Sequence, residues 1–396
     1  EIKEKYGDDR RTEIVEKEAV QPIDKRQLIA EEEVMVAVTR DGYIKRSSIK
    51  SYKGSNGEMP GVKDGDALIA ADSALTTDYL VMFTNYGNFV TIPIHNITEA
   101  RWKDEGEHIN TVCTLATGEK LFKAIAVQEL RKDIYLAVLT RFGQIKRMSL
   151  ASLDLMKRSR PAKFMKLLSN DEIVGIQILT GNSDLLVITS NGNASMYNEN
   201  ELTTLGAKAG GVKSIGGLSK TNAAALVAFD VEEKSKVVVI TDKGHSRIID
   251  NSRVPVTNRL GRLTNIMPCF KGDIHAIVGA CKINKKDDVS KVLMYMDNQT
   301  MFEYELEDTY LTEANKYAKK NMPIEKAKIE FLLDVSIEKI NSKTVSHPVT
   351  SGQEEADTED EESNETAQII EEVKSRKEEE PKEGFEQISI FDDLDD

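Results

Sequence analysis

Basic residues stand at matched places along this chain. Ile44-Lys45-Arg46 follows one turn, Ile145-Lys146-Arg147 follows another, and Arg247 follows a third at the lysine's position. Lysine and arginine at repeated stations suit phosphate. Each neutralises charge, releases counterions and gives a salt-sensitive affinity that tolerates any base sequence. More bases follow these stations: Lys50, Lys53 and Lys63; Lys157, Arg158, Arg160, Lys163 and Lys166; Lys208 and Lys213; Arg253, Arg259 and Arg262. Any one of them is explained by a solvated surface, because 30% of the residues are charged. The matched set favours a polyanion. Few aromatics interleave with the bases, which fits a duplex better than a stacked single strand.

The elements that hold these bases come from one recurring phrase. Apolar residues lead to a threonine, two variable residues and a glycine, then a second strand. The copies are Thr39-Arg40-Asp41-Gly42, Thr84-Asn85-Tyr86-Gly87, Thr140-Arg141-Phe142-Gly143, Thr189-Ser190-Asn191-Gly192 and Thr241-Asp242-Lys243-Gly244, with a worn sixth at Met296-Asp297-Asn298-Gln299. The five glycines are 45, 56, 49 and 52 residues apart. Asp-Gly and Asn-Gly suit tight hairpin turns with positive φ, where a Cβ would clash. The runs Val34 to Val38, Leu80 to Phe83, Ile134 to Leu139, Leu185 to Ile188 and Val237 to Ile240 read as buried strands. A period of about 50 residues in a chain of strands predicts propeller-like blades. Equivalent positions then face one side of the disc, so Lys45, Lys146 and Arg247 are expected on one rim. Blades two, four and six carry Val90-Thr91, Ser195-Met196 and Phe302-Glu303 there, so basic stations mark alternate blades.

Composition narrows the class. The chain has 396 residues, 40% of them hydrophobic, and no apolar run approaches the ~20 residues of a membrane span. Cys113, Cys269 and Cys281 are scattered without a CxxC pair, which predicts a reducing, cytoplasmic setting and cysteines that pack as small apolar groups. The net charge of −14 is unevenly spread. Residues 351–396 hold 19 acids against four bases, and the rest holds 48 against 49. A near-neutral body therefore carries an acidic tail. The chain starts at Glu1, and a piece of a longer protein is expected.

Three regions follow. Residues 1–30 read as a connector, residues 31–335 as the bladed domain, and residues 336–396 as an acidic, largely disordered tail. Thr312 to Ile329 is a charged stretch with helical spacing and is expected to form a closing element or loop helix. The fold class is all-β.

At the start of the chain, Tyr6-Gly7-Asp8-Asp9-Arg10-Arg11-Thr12-Glu13-Ile14 resembles the junction after the breakage–reunion region of bacterial type IIA topoisomerase A subunits. Thr39-Arg40-Asp41-Gly42-Tyr43-Ile44-Lys45-Arg46 resembles the repeat of their C-terminal domain, as do Gly61-Val62-Lys63-Asp64-Gly65-Asp66 and Gly211-Val212-Lys213. The resemblance implies a six-bladed β-pinwheel whose blades exchange strands and whose outer rim binds and bends duplex DNA. It implies as partners the rest of the A subunit, in a homodimer, and the ATPase B subunit. The candidate DNA-binding residues are Lys45, Arg46, Lys50, Lys53, Lys63, Lys146, Arg147, Lys157, Arg158, Lys208, Lys213, Arg247 and Arg253. The gyrase branch has a Gln-Arg-Arg-Gly-Gly-Lys/Arg-Gly box after the first hairpin. Here Gly54-Ser55-Asn56-Gly57-Glu58-Met59-Pro60 keeps glycine, lacks the arginine pair and adds an acid. That departure and the alternation of basic blades fit the topoisomerase IV branch of Gram-positive type. A gyrase-type wrapping domain and a protein-interaction propeller are the alternatives.

The family cleaves DNA with a tyrosine and Mg²⁺ in its breakage–reunion region. That Ala-Ala-Met-Arg-Tyr-Thr-like context does not occur here, nor does a GxxxxGK[ST] loop for ATP. No cofactor is expected in this chain, with Mg²⁺ and ATP used elsewhere in the full enzyme, and no catalysis is expected from it alone. In the tail, Gln387-Ile388-Ser389-Ile390-Phe391 resembles the peptide that docks on the replication sliding clamp, with Gln387, Ile390 and Phe391 as the candidate contacts.

Overall fold

The computed structural model describes residues 2–7, 29–156, 158–216, 223–230, 235–268, 275–283, 290–306, 319–320, 322, 324 and 327–347. Two short helices, Ile2–Tyr6 and Ile49–Lys53, accompany an architecture made of strands. The predicted tail, the Gln387 peptide and Lys157 lie outside the described residues.

The repeated phrase builds each hairpin in the same way. The amide of the turn glycine, at 42, 87, 143, 192 and 244, donates to the carbonyl of its threonine. These glycines have φ between 73° and 105°, where a side chain would be strained. The threonine Oγ1 accepts the amide four residues on, from Tyr43, Asn88, Gln144, Asn193 and His245. Threonine thus caps the turn that glycine permits. In the worn sixth copy Gln299 takes the glycine's place at φ 65° and keeps the same turn.

Six hairpins make six blades. Their middle strands are Glu33–Thr39, Tyr79–Thr84, Tyr135–Thr140, Ser183–Thr189, Lys236–Thr241 and Ser290–Met296. Their outer strands are Tyr43–Ser48, Asn88–Pro93, Gln144–Ser149, Asn193–Asn198, His245–Asp250 and Met301–Leu306. The inner strands, Leu68–Leu75, Leu121–Val127, Ile173–Leu179, Ala223–Asp230, Ile277–Ile283 and Ile329–Leu333, line an axial cavity of about 490 Å³. Each inner strand pairs antiparallel with its middle strand, and the register shifts by one residue at the end of the middle strand, beside the hairpin turn. Such bulges bend a strand and increase its twist. The middle strands are buried almost throughout, with Val36, Leu80, Leu136, Val187 and Val239 fully enclosed.

The fourth strand of a blade is borrowed from the next one. Glu107–His108, from the second blade's excursion, pairs with the outer strand of the first. Ala162–Lys163 joins the second blade, Val212–Lys213 the third, Thr264–Asn265 the fourth and Lys319–Lys320 the fifth. The expected closing element or loop helix is corrected where its residues are described: 319–320 is an exchanged edge strand, and Ile329 opens the last inner strand, Ile329–Leu333.

The expected domain end at residue 335 also falls short. Beyond Leu333 the chain turns onto the disc as a strap. The amide of Ala71 donates to Val335 O, and Glu338–Ile340 pairs in parallel with Ile125–Val127. Ile337 buries into the core between the first and second blades, and Ile340 into the core between the second and third. The Lys123 ammonium is held between Glu338 and Asp334. Burial opposes its charge, but the two carboxylates outweigh burial and raise its pKa. Arg131 donates to the carbonyls of Asn341 and Thr344, and the His347 amide to Thr180 O. One segment thus ties blade six to blades one, two and three.

Two measurements test this packing. Ile337→Ala should cost about 2–4 kcal/mol in urea unfolding, whereas Val345→Ala, at a position 70% exposed, should stay within about 0.5 kcal/mol. The Cys113 thiol is pushed up to about 11 by burial and the nearby Glu119, and Cys281 to about 12 by burial and Asp334. Both stay protonated at pH 8, so peptide mapping should find them alkylated quickly only in denaturant.

Candidate nucleic-acid interface

The expected rim of Lys45, Lys146 and Arg247 is corrected by burial. Their exposures are 2%, 0% and 4%. Lys45 Nζ donates to Trp102 O at 2.8 Å, to Gly61 O at 3.2 Å, and to Asp104 O. Lys146 Nζ donates to Phe164 O at 2.9 Å, Ala209 O at 3.0 Å and Gly206 O at 2.5 Å. Arg247 donates from Nη1 to Ile266 O at 2.6 Å. Apart from Gly61, in the first blade's own loop, these carbonyls belong to the segments that carry exchanged strands between blades. The station three residues past the turn glycine therefore points under the crossing segment. A buried carbonyl needs a donor, and an ammonium supplies three. Burial pushes the Lys45 ammonium down to about 8, while Asp104 and Glu105 pull the other way.

The neighbouring arginines are also committed inside. Arg147 is 4% exposed, forms an ion pair of 3.1 Å with the fully buried Glu199, and stacks 4.0 Å over the Tyr135 ring. Glu199 in turn accepts the amides of Gly181 and Ser183, so the pair joins the third and fourth blades. Arg46 is half-buried, donates from Nε to Ile97 O at 2.8 Å and lies 3.7 Å from Glu99. The alternation of basic stations is thus an alternation of internal ties.

The other described candidates are exposed: Lys50, Lys53, Lys63, Arg158, Lys208, Lys213 and Arg253. Lys50 and Lys53 end the helix Ile49–Lys53, which Ser48 Oγ caps by accepting the Ser51 amide. Lys63 Nζ donates to Tyr43 Oη at 3.1 Å and lies 5.3 Å from that ring's centre. Arg158 pairs with Asp154 at 2.5 Å across an exposed surface. Such pairs contribute little and exchange readily for other anions.

A second periodicity, missed when counting from the turn glycines, emerges from the exchanged strands. Their second residues are His108, Lys163, Lys213, Asn265 and Lys320, each opposite the residue that follows a turn glycine. Lys163 and Lys213 are exposed at the outer edges of adjacent blades. Four residues before the first exchanged strand stands Lys103, and at the same count before the next two stand Arg158 and Lys208. All three are exposed, as are Arg101 and Arg160 on the first two of these crossings, Lys166 just past the second exchanged strand, and Arg262 on the crossing to the fourth blade. The sequence signal was available in Ala162-Lys163 and Val212-Lys213, read backwards from the edge strands.

Disc, borrowed strands and outer cations together define a pinwheel of the kind found in type IIA topoisomerase A subunits. Residues 33–74, 78–128, 135–180 and 183–231, the first four blades, match the family described as the DNA gyrase C-terminal domain, beta-propeller, and the chain belongs to it. Curated relatives sharpen the placement. The chain is 31% identical over 287 residues to the A subunit of DNA topoisomerase 4 from Bacillus subtilis, covering 72% of this chain and 35% of that one. It is 33% identical over 312 residues to the A subunit of DNA topoisomerase 4 from Streptococcus pyogenes, covering 76% and 38%. The chain thus spans little more than a third of these relatives. A crystal structure of the C-terminal domain of DNA topoisomerase IV superposes with a TM-score of 0.67 and 26% identity, covering 77% of this chain and 93% of that one.

Lys45→Met tests the internal role. It takes the ammonium away from Gly61 O and Asp104 O, while Trp102 O keeps the Gly61 amide, and should cost about 2–4 kcal/mol of unfolding free energy. The salt slope of any DNA binding should not change. A slope reduced by about one, with stability intact, would make Lys45 a phosphate contact instead.

Proposed function

We propose that this chain is the duplex DNA-binding and bending domain of a topoisomerase IV-type A subunit. It captures a DNA segment on its outer edge and presents it to the cleavage gate for decatenation and relaxation. The observation that carries this reading is the row of exposed cations on the crossings and exchanged strands, Lys163, Lys166, Lys208 and Lys213 foremost. They repeat from blade to blade as phosphates repeat along a backbone.

The energetics suit modest bending. Curving a ~20–30 bp site costs roughly 1–6 kcal/mol, so several phosphates must be held together. The cations are spaced by blades and interrupted by acids such as Glu58, which pairs with Lys103. The first-hairpin stretch Gly54 to Pro60 carries that acid and no arginine pair. This supports a weakly wrapping surface over a gyrase-type one. Strand passage needs the remainder of the A subunit together with the ATPase B subunit, where Mg²⁺ and ATP do their work.

The test is the salt dependence of duplex binding. Replacing Lys163, Lys166, Lys208 and Lys213 together by glutamine should lower affinity. It should also reduce the slope of log K against log salt by about 0.9 for each phosphate no longer neutralised. Wild-type affinity and slope in that variant would remove the outer edge as the binding surface. No duplex binding by the parent chain at low salt would favour a protein-interaction propeller.

A further inference from the structure

Among the described crossings, the row of cations is broken at one place. Four residues before their exchanged strands, three crossings present Lys103, Arg158 and Lys208. On the crossing from the fifth blade to the fourth, the same count reaches Leu260. Its side chain is 44% exposed and its φ is +68°. A branched aliphatic residue in the left-handed region is strained, and such strain persists where surroundings impose it. Gly261, the natural occupant of that conformation, stands next in sequence and closes the turn by donating to Asn258 O.

The surroundings are basic. The Arg259 amide donates to Glu201 Oε2 at 2.9 Å, and its Nη1 donates to Lys213 O at 2.5 Å on the neighbouring exchanged strand. Arg262 is exposed on the same turn, and Val256, 52% exposed, lies earlier on the same crossing. The loop therefore projects an apolar tip between guanidiniums at the outer edge. An apolar side chain gains nothing there from water or from a phosphate. It fits the gap between two base pairs, as wedges do in proteins that kink a duplex through its minor groove.

We propose that Leu260 is a DNA wedge, entering a base step while the flanking arginines hold the adjoining phosphates. This rests on the duplex-binding reading and adds a site of local unstacking to it. Phosphate contacts along the cation row would curve the duplex smoothly, and the wedge would concentrate bending at the fourth blade.

The experiment uses the full chain and a 40 bp duplex with end-attached fluorophores and 2-aminopurine at one step per helical turn. Leu260→Gly relieves the positive φ, so loss of folding is not the expected failure. The parent chain should raise 2-aminopurine fluorescence and shorten the end-to-end distance. Leu260→Gly should lose at least half of the fluorescence rise and keep the salt slope. Leu260→Lys should also lose that rise while steepening the slope by about one. Full 2-aminopurine signal and bending in Leu260→Gly would overturn the wedge and leave duplex binding standing. Absence of duplex binding by the parent chain would overturn both. A concentration-dependent dimer of the parent, abolished by Leu260→Gly, with no unstacking, would make the tip a protein contact and overturn the wedge.

Discussion

The disc depends on buried cations beneath the borrowed strands. A two-residue strand taken from the next blade makes very few ladder hydrogen bonds, and the segment that delivers it brings carbonyls into the interior. Lys45, Lys146 and Arg247 meet those carbonyls from below. An unmet buried carbonyl costs about 1–3 kcal/mol, comparable to what a two-residue pairing contributes. A cationic donor therefore supports the exchange in the first, third and fifth blades, whereas the second and fourth exchange strands without one. Ser195 holds the equivalent station in the fourth blade and Val90 in the second, so the device is used on alternate blades.

Exchange ties neighbours in sequence, but a ring also needs its last blade fixed to its first. That tie is made by the end of the described chain. Arg40 lies 4.4 Å over the Phe331 ring, and Tyr295 Oη donates to Gly65 O at 2.6 Å. The strap then carries Ile337 and Ile340 into the first two cores. Its parallel pairing with the second blade's inner strand gives that blade five strands, where the first, third, fourth and fifth have four. Outward-facing cations and inward-facing closure are thus separated. Lys163, Lys166, Lys208 and Lys213 face out on the crossings and edge strands, and Lys123, which lines the axial cavity, is consumed by Glu338 and Asp334.

The hairpins were legible in the sequence because their determinants are local. A threonine that caps and a glycine that takes positive φ lie within four residues of each other, and the apolar run beside them names the buried strand. The exchange was legible only through family resemblance, since Ala162-Lys163 or Val212-Lys213 has no period of its own. Direction was the larger difficulty. Alternation along an outer strand says which residues share a face, but it does not say what covers that face. The crossing segment through Trp102 and Asp104 lies over Lys45, and 57 residues separate Lys45 from Trp102. A repeat-matched base therefore looked like a surface feature and proved to be an internal one. The exposed cations were visible as residues, but their common register appears only when counted from the exchanged strands.

The central claim is that DNA lies along the outer edge, on the crossings, and not on the face crossed by the strap. Lysine acetylation read by mass spectrometry, with and without a duplex at low salt, tests this most directly. Lys163, Lys166, Lys208 and Lys213 should be protected together. Lys132, beside the strap, and Lys343, within it, are both exposed and should react equally in both states. Protection of Lys132 and Lys343 with the edge lysines unchanged would place the DNA on the strap face and contradict the account.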